Sequence, residues 1–315
     1  MSAGQQVTSI QSRGASDIAS YERDGFLSPL DVLSADEVAE YREHFEAHLP
    51  RLKGRFGARY KHKTHLMLEW VDRLVHHPKV LGPVTQILGE DVLCWTSNFF
   101  LKEPGDGAYV SWHQDSQYWN LDPPEVLTAW IALAPSTQDS GCLRVIPGSH
   151  EGEEFSHRDT FDKANQLTRG QAIEGLDEAS AVNIELLAGQ MSLHHIKIVH
   201  GSERNISSEP RVGLAIRYAS TRVQALGRRE SALLVCGEDS HRMFAPEERP
   251  QGNFTLPGRM AQNRALRRQV GNNYQTHHAV KWHDKLRLSL RRLASESVLD
   301  GFYLDLKLRS ALGRR

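Results

Sequence analysis

A chain of 315 residues is long enough for one large domain or two small ones, with ample length for a buried core. Lysine plus arginine number 38 against 39 aspartate plus glutamate, and a net charge of -1 removes any electrostatic ground for nucleic acid or an anionic membrane as partner. Cys94, Cys142 and Cys236 lack CxxC spacing, no apolar run reaches ~18 residues, and no leader pattern opens the chain; the expectation is a cytoplasmic protein without disulfides or structural zinc.

Residues 1–18 are polar and read as a frayed tail, with 19–315 as a single domain. Residues 21–33 read as a helix end followed by a strand. Ser34 with Glu37 forms a capping-box pattern, and Val38, Tyr41, Phe45 and Leu49 recur at helical spacing, so a helix is expected to run to Leu49 and stop at Pro50. A basic loop over 51–63 and helices over 66–76 and 78–88 follow, the last ending at Gly89.

From Val92 the period changes. Strands are expected at 92–101, 109–113, 126–133, 142–146, 182–187, 191–195, 212–218 and 232–236, separated by Gly, Pro and Asp turns such as Pro104-Gly105-Asp106-Gly107. Many short strands argue for an antiparallel sandwich or barrel with the helices outside. The polar segment 151–179 reads as a lid or mobile surface loop, and the tail from about 257 as one or two basic amphipathic helices packed on the barrel or on a second subunit. Asn205-Ile206-Ser207 fits a glycosylation sequon that carries no meaning without secretion.

Chemistry concentrates at Trp112-His113-Gln114-Asp115. On an extended segment His113 and Asp115 point to one side, and a third ligand from a distant strand would complete a two-histidine, one-carboxylate face suited to ferrous iron. His200 is the chosen third ligand; Ser192, His194, Ile196 and Ile198 alternate with it on one expected strand, so His194 is the competitor. His157 with Asp159 and His44 with Glu46 fit the same short pattern but sit in polar or helical contexts and read as solvated. A turn after His200 returns the chain at Arg211, whose guanidinium fork can take a carboxylate bidentately.

The runs 112–115, 128–133, 141–150 and 200–202, with Arg211 after them, resemble the phytanoyl-CoA dioxygenase family of Fe(II)- and 2-oxoglutarate-dependent oxygenases, over roughly residues 92–218. The resemblance implies a double-stranded β-helix, the cupin-like jelly-roll barrel, with His113, Asp115 and His200 as iron ligands. It further implies Arg211 on the distal carboxylate of 2-oxoglutarate, with Ser202, Trp130 and Asn98 lining that cosubstrate; Lys63 is a weaker basic candidate left aside. The reaction implied consumes O2 and 2-oxoglutarate, releases succinate and CO2, and hydroxylates a substrate C–H. Because halogenating relatives replace the carboxylate ligand by a small residue, Asp115 argues against chlorination, while desaturation or ring closure stays open.

Tyr118, Trp119 and Phe100 are expected to wall the substrate pocket, and Arg144, Lys197 or Arg217 are candidates to pair with an anionic group. The expected partner is a small secondary-metabolite or amino-acid-like molecule, and the assembly a monomer or homodimer. Two other readings stay open from the residues: a cupin-type metalloenzyme that does not use 2-oxoglutarate, and a jelly-roll binding protein.

Overall fold

The computed structural model describes residues 16–54, 57–273 and 282–311. Residues 16–24 form helix α1, so the helix begins inside the stretch expected to be a tail; positions 1–15 of that tail lie outside the described residues. Strand β1 (Phe26–Asp31) and helix α2 (Ala35–Lys53) follow. The capping box forms as read: the Glu37 amide donates to Ser34 Oγ, and the Ser34 amide donates to Glu37 Oε2 at 2.8 Å.

Helix α2 does not stop at Pro50 but carries it in its last turn. The bond lost there is a single one near a frayed end, and Leu52 is buried in the core beyond it. The expected basic loop is likewise replaced by helix α3 (Gly57–Tyr60) and a 3-10 turn at Thr64–Leu66. Helices α4 (Glu69–Val75) and α5 (Pro78–Leu88) lead into the barrel, α5 closing at Gly89.

The strands are β2 (Val92–Lys102), β3 (Val110–His113), β4 (Leu121–Asp122, after helix α6, Ser116–Trp119), β5 (Val126–Ala132) and β6 (Leu143–Val145). After these come β7 (His157–Asp159), β8 (Gln171–Ile173), β9 (Val182–Ile184), β10 (Gln190–His195), β11 (His200–Ser202) and β12 (Arg211–Ser220). Strands β13 (Gln224–Ala225), β14 (Ser231–Cys236) and β15 (Ala245–Pro246) complete the set before helices α7 (Leu256–Asn273) and α8 (Trp282–Ala311). A major sheet runs β1-β10-β5-β12-β2-β14-β15 and a minor sheet β3-β11-β6-β9. This is the jelly-roll barrel with outer helices.

Alternation explains why β5 and β12 are buried along their whole length. Leu127, Ala129 and Ile131, with Leu214, Ile216 and Tyr218, join the core that the major sheet shares with the helices. Trp130, Ala132 and Ala215 take the opposite face and pack with Val145 and Ile184 of the minor sheet. The inward face of β12 therefore reads Arg211, Gly213, Ala215, Arg217. Opposite Arg217 and Tyr218 the β2 register slips from Thr96 to Cys94, leaving Trp95 as the extra residue of a bulge. Trp95 turns into a separate cluster with Leu121 and Phe244.

Lys63 is not near any candidate cosubstrate site. Its ammonium is buried against Trp95 O, Ser231 O and Glu247 Oε1 at 2.7, 2.8 and 2.6 Å, tying the N-terminal helical layer to the barrel. The C-terminal helices pack on the barrel layer as well: Phe302 and Leu306 of α8 are buried in the main core, and Asn272 of α7 donates to Glu230 Oε1 at 2.6 Å. No described helix is long and apolar enough to cross a membrane.

Candidate active site

His113 and His200 face each other directly across the antiparallel β3/β11 pair, with ring centroids 4.1 Å apart. The expected single strand from Ser192 to His200 does not exist. Strand β10 ends at His195 in the major sheet, the chain turns, and β11 begins at His200 in the minor sheet. His194 is left on the facing sheet, its ring 4.8 Å from His200.

Asp115 also arrives by a route other than simple alternation. Strand β3 ends at His113, and Asp115 has right-handed helical torsions (φ -63°, ψ -32°) at the start of α6. The turn is held from outside: the Gln114 amide donates to His157 Nε2 at 3.0 Å, and the Gln114 side chain donates to Lys197 O at 2.7 Å. His157, expected as a solvated residue in an unstructured run, is instead on a strand and buttresses this turn. Its neighbour Asp159 pairs with Arg169 at 2.9 Å.

His113, Asp115 and His200 are buried, and each offers one ligand atom within 4.8 Å of the others, the one such cluster among the described residues. His113 Nδ1–H donates to Ser111 O at 2.9 Å and His200 Nδ1–H donates to Ile198 O at 3.0 Å. Those backbone carbonyls fix the tautomer and leave both Nε2 lone pairs facing Asp115, at 3.4 Å from His113 and 3.9 Å from His200. Burial, with His113 packed beside it, pushes His200 down to about 4, so its imidazole is neutral. Burial opposes ionisation of Asp115, but its contacts with His113 and His200 and the charge of Arg217 outweigh it and hold the carboxyl at about 2. Two imidazole nitrogens and one carboxylate on one side fit Fe(II) and leave its other side open.

Arg211 begins β12, buried, with its guanidinium 5.2 Å over the Trp130 ring and Nη1 donating to Gly141 O at 2.5 Å; its Nε has no partner. Gly213 makes this stack possible, since a Cβ there would sit 2.0 Å from Trp130 Cζ2. Ser202 lies alongside and accepts a hydrogen bond from Lys102 Nζ at 2.7 Å. Lys102 is absent from the residues expected at the site, although its signal was available: it follows Asn98 and Phe100 at two-residue spacing and registers opposite Arg211. Burial, then the nearby Arg211, pushes its ammonium down to about 6.

Asn98 falls elsewhere than expected. Its Oδ1 accepts from Arg217 Nη1 at 2.9 Å and its amide nitrogen contacts His62 Nδ1, placing it in an outer cavity and not beside Arg211. Tyr118, Trp119 and Phe100 do line that cavity. Arg217 stands at its junction with the inner cavity of the ligand triad, while Arg144 pairs with Glu178 and Glu203, and Lys197 Nζ donates to Gly152 O at 3.4 Å. The 151–179 segment forms the β7/β8 hairpin beside β3 and contributes Leu167, Thr168 and Arg169 to the cavity wall.

Comparison with known proteins gives a match to the family "Phytanoyl-CoA dioxygenase (PhyH)" over residues 21–213. A probable alpha-ketoglutarate-dependent hypophosphite dioxygenase of Stutzerimonas stutzeri is 32% identical over 50% of this chain, which spans 55% of that protein. An ectoine dioxygenase of Streptomyces coelicolor is 29% identical over 65% of this chain and 77% of its own length. Among solved structures, the apo non-heme monooxygenase ThoJ superposes with a TM-score of 0.72 at 32% identity, over 81% of this chain and 96% of that one.

Proposed function

The chain belongs to the phytanoyl-CoA dioxygenase family of Fe(II)- and 2-oxoglutarate-dependent oxygenases, and from that premise we propose that it hydroxylates an unactivated C–H bond of a small organic molecule. The observation that carries the reading is the convergence of His113, Asp115 and His200 within 4.8 Å, with Arg211 lining the same cavity. Bound there, iron with 2-oxoglutarate and O2 would supply the oxidising chemistry.

The roles of this chain's own residues follow from what each can hold. His200 offers a lone pair without having to lose a proton, His113 turns its Nε2 toward the same point, and Asp115 is ionised throughout the physiological range. Arg211 presents a buried guanidinium on a Trp130 platform to the distal carboxylate of the cosubstrate, with Ser202, and the Lys102 side chain that donates to it, alongside. Trp130, Leu143 and Leu167 give the inner cavity its apolar wall. The whole is read as one domain; three free cysteines suit a reducing cytoplasm.

Anaerobic reconstitution with Fe(II) and 2-oxoglutarate tests the proposal. A weak visible charge-transfer band is expected, followed by succinate release accelerated by a subset of small molecules. Absence of the band in metal-loaded protein overturns it.

A further inference from the structure

Arg217 is a buried cation whose charge helps hold Asp115 ionised but which makes no hydrogen bond or ion pair to the described metal ligands or to the residues of the cosubstrate site. It is 8% exposed, and its hydrogen-bond acceptors among the described residues, Asn98 Oδ1 at 2.9 Å and Ala215 O at 3.4 Å, are both neutral. Its Nε is buried with no acceptor at all. Arg169, the other arginine on the outer cavity, has Asp159 as its counter-charge; no described carboxylate pairs with Arg217 in that way. Asp115 is near enough for its charge to act on Arg217, but that carboxylate already lies between His113 and His200. A guanidinium taken out of water without a counter-ion is costly, and the cost is recovered when an anion arrives.

Its position says which anion. Arg211 and Arg217 occupy the same inward face of β12, six residues and so about 20 Å apart along the strand. The first stands by the cosubstrate end of the inner cavity; the second lines both that cavity and the outer one, where Tyr118 and Trp119 stand. Phe100 and Trp119 hold the guanidinium, each ring centroid 5.4 Å from its central carbon. The neighbouring wall of Thr96, Asn98, Gln171 and Gln269 is uncharged, and burial with the adjacent Arg217 keeps His62 neutral by pushing it down to about 4. One fixed fork with one positive charge matches a carboxylate and leaves a phosphate dianion half compensated.

We propose that Arg217 recognises a carboxylate on the substrate, so that the protein oxidises a small carboxylic acid seated in the outer cavity. The proposal rests on the oxygenase reading, and names its substrate class.

Phenylacetate is a suitable probe, with phenylacetamide as its uncharged isostere, each titrated calorimetrically into anaerobic protein loaded with Fe(II) and saturating 2-oxoglutarate, so that Arg211 is already occupied. Saturable binding of the acid is expected, at least tenfold tighter than the amide. Arg217→Gln should weaken the acid at least tenfold and Arg217→Lys by less, with 2-oxoglutarate affinity held within about twofold in both. Comparison of acid with amide on the unaltered protein needs no variant to fold. Failure of the loaded protein to bind the acid, equal binding of acid and amide, an unchanged Arg217→Gln, or loss of 2-oxoglutarate in place of the acid overturns the proposal. If the unaltered protein takes up no 2-oxoglutarate, the oxygenase reading itself falls and this one with it.

Discussion

His194 and His200 lie with ring centroids 4.8 Å apart, yet they belong to opposite sheets of the barrel. His200 registers against His113 and turns Nε2 toward Asp115, whereas His194 registers against Thr128 and has its Nδ1 buried without a partner. Replacing His200 by Ala should weaken metal binding by more than the roughly 10–100-fold that loss of an outer partner costs. Replacing His194 by Asn should keep one metal per chain with affinity within about tenfold. Titration with Co(II), read by its visible spectrum, separates the two.

Asp115→Ala should abolish hydroxylation, since the histidines alone leave the metal without its anionic ligand. Full turnover in Asp115→Ala would contradict the ligand assignment.

Arg211→Ala should raise the dissociation constant for 2-oxoglutarate about 10–100-fold, the value of a charge-assisted hydrogen-bonded pair. Gly213→Ala acts on the same site indirectly. Its Cβ would meet Trp130 Cζ2 at 2.0 Å, displacing the ring that lies under Arg211, and overpacking of this kind costs about 1–3 kcal/mol. Weaker 2-oxoglutarate binding together with a lower melting temperature is expected; unchanged cosubstrate affinity in Gly213→Ala would mean that Trp130 does not set the position of Arg211.

Glu230 should make stability depend on pH. Burial raises its carboxyl from 4.5 to about 7, outweighing hydrogen bonds from Asn272 and Trp95. Below pH 4.5 the group is protonated in both folded and unfolded chains. Between 4.5 and 7 only the unfolded chain releases its proton, so stability falls as pH rises through that window, at about 1.4 kcal/mol for each pH unit crossed and by a few kcal/mol in all. Above 7 the loss is complete. Denaturant midpoints across this range should decline in the wild type relative to Glu230→Gln, and parallel curves for the two proteins would refute the linkage.

What the amino-acid order settled by itself was local and periodic. Alternating apolar runs announced the β-strands, Ser34 and Glu37 the start of a helix, and His113, Asp115, His200 and Arg211 a metal and carboxylate chemistry, because each depends on neighbours a few positions away or on a motif of fixed spacing. Pro50 does not end its helix because the tertiary core retains the last turn through Leu52. The choice of His200 over His194 was completed by a sheet switch at residues 196–199 that alternation along one strand could not reveal. Lys63 and Lys102 exchange importance for the same reason: one is consumed by Glu247 far along the chain, and the other is set opposite Arg211 by the β2/β12 register. Which charges meet across such distances is fixed when strands pair and sheets close, and so the counter-ion that Arg217 lacks became visible only in the folded protein.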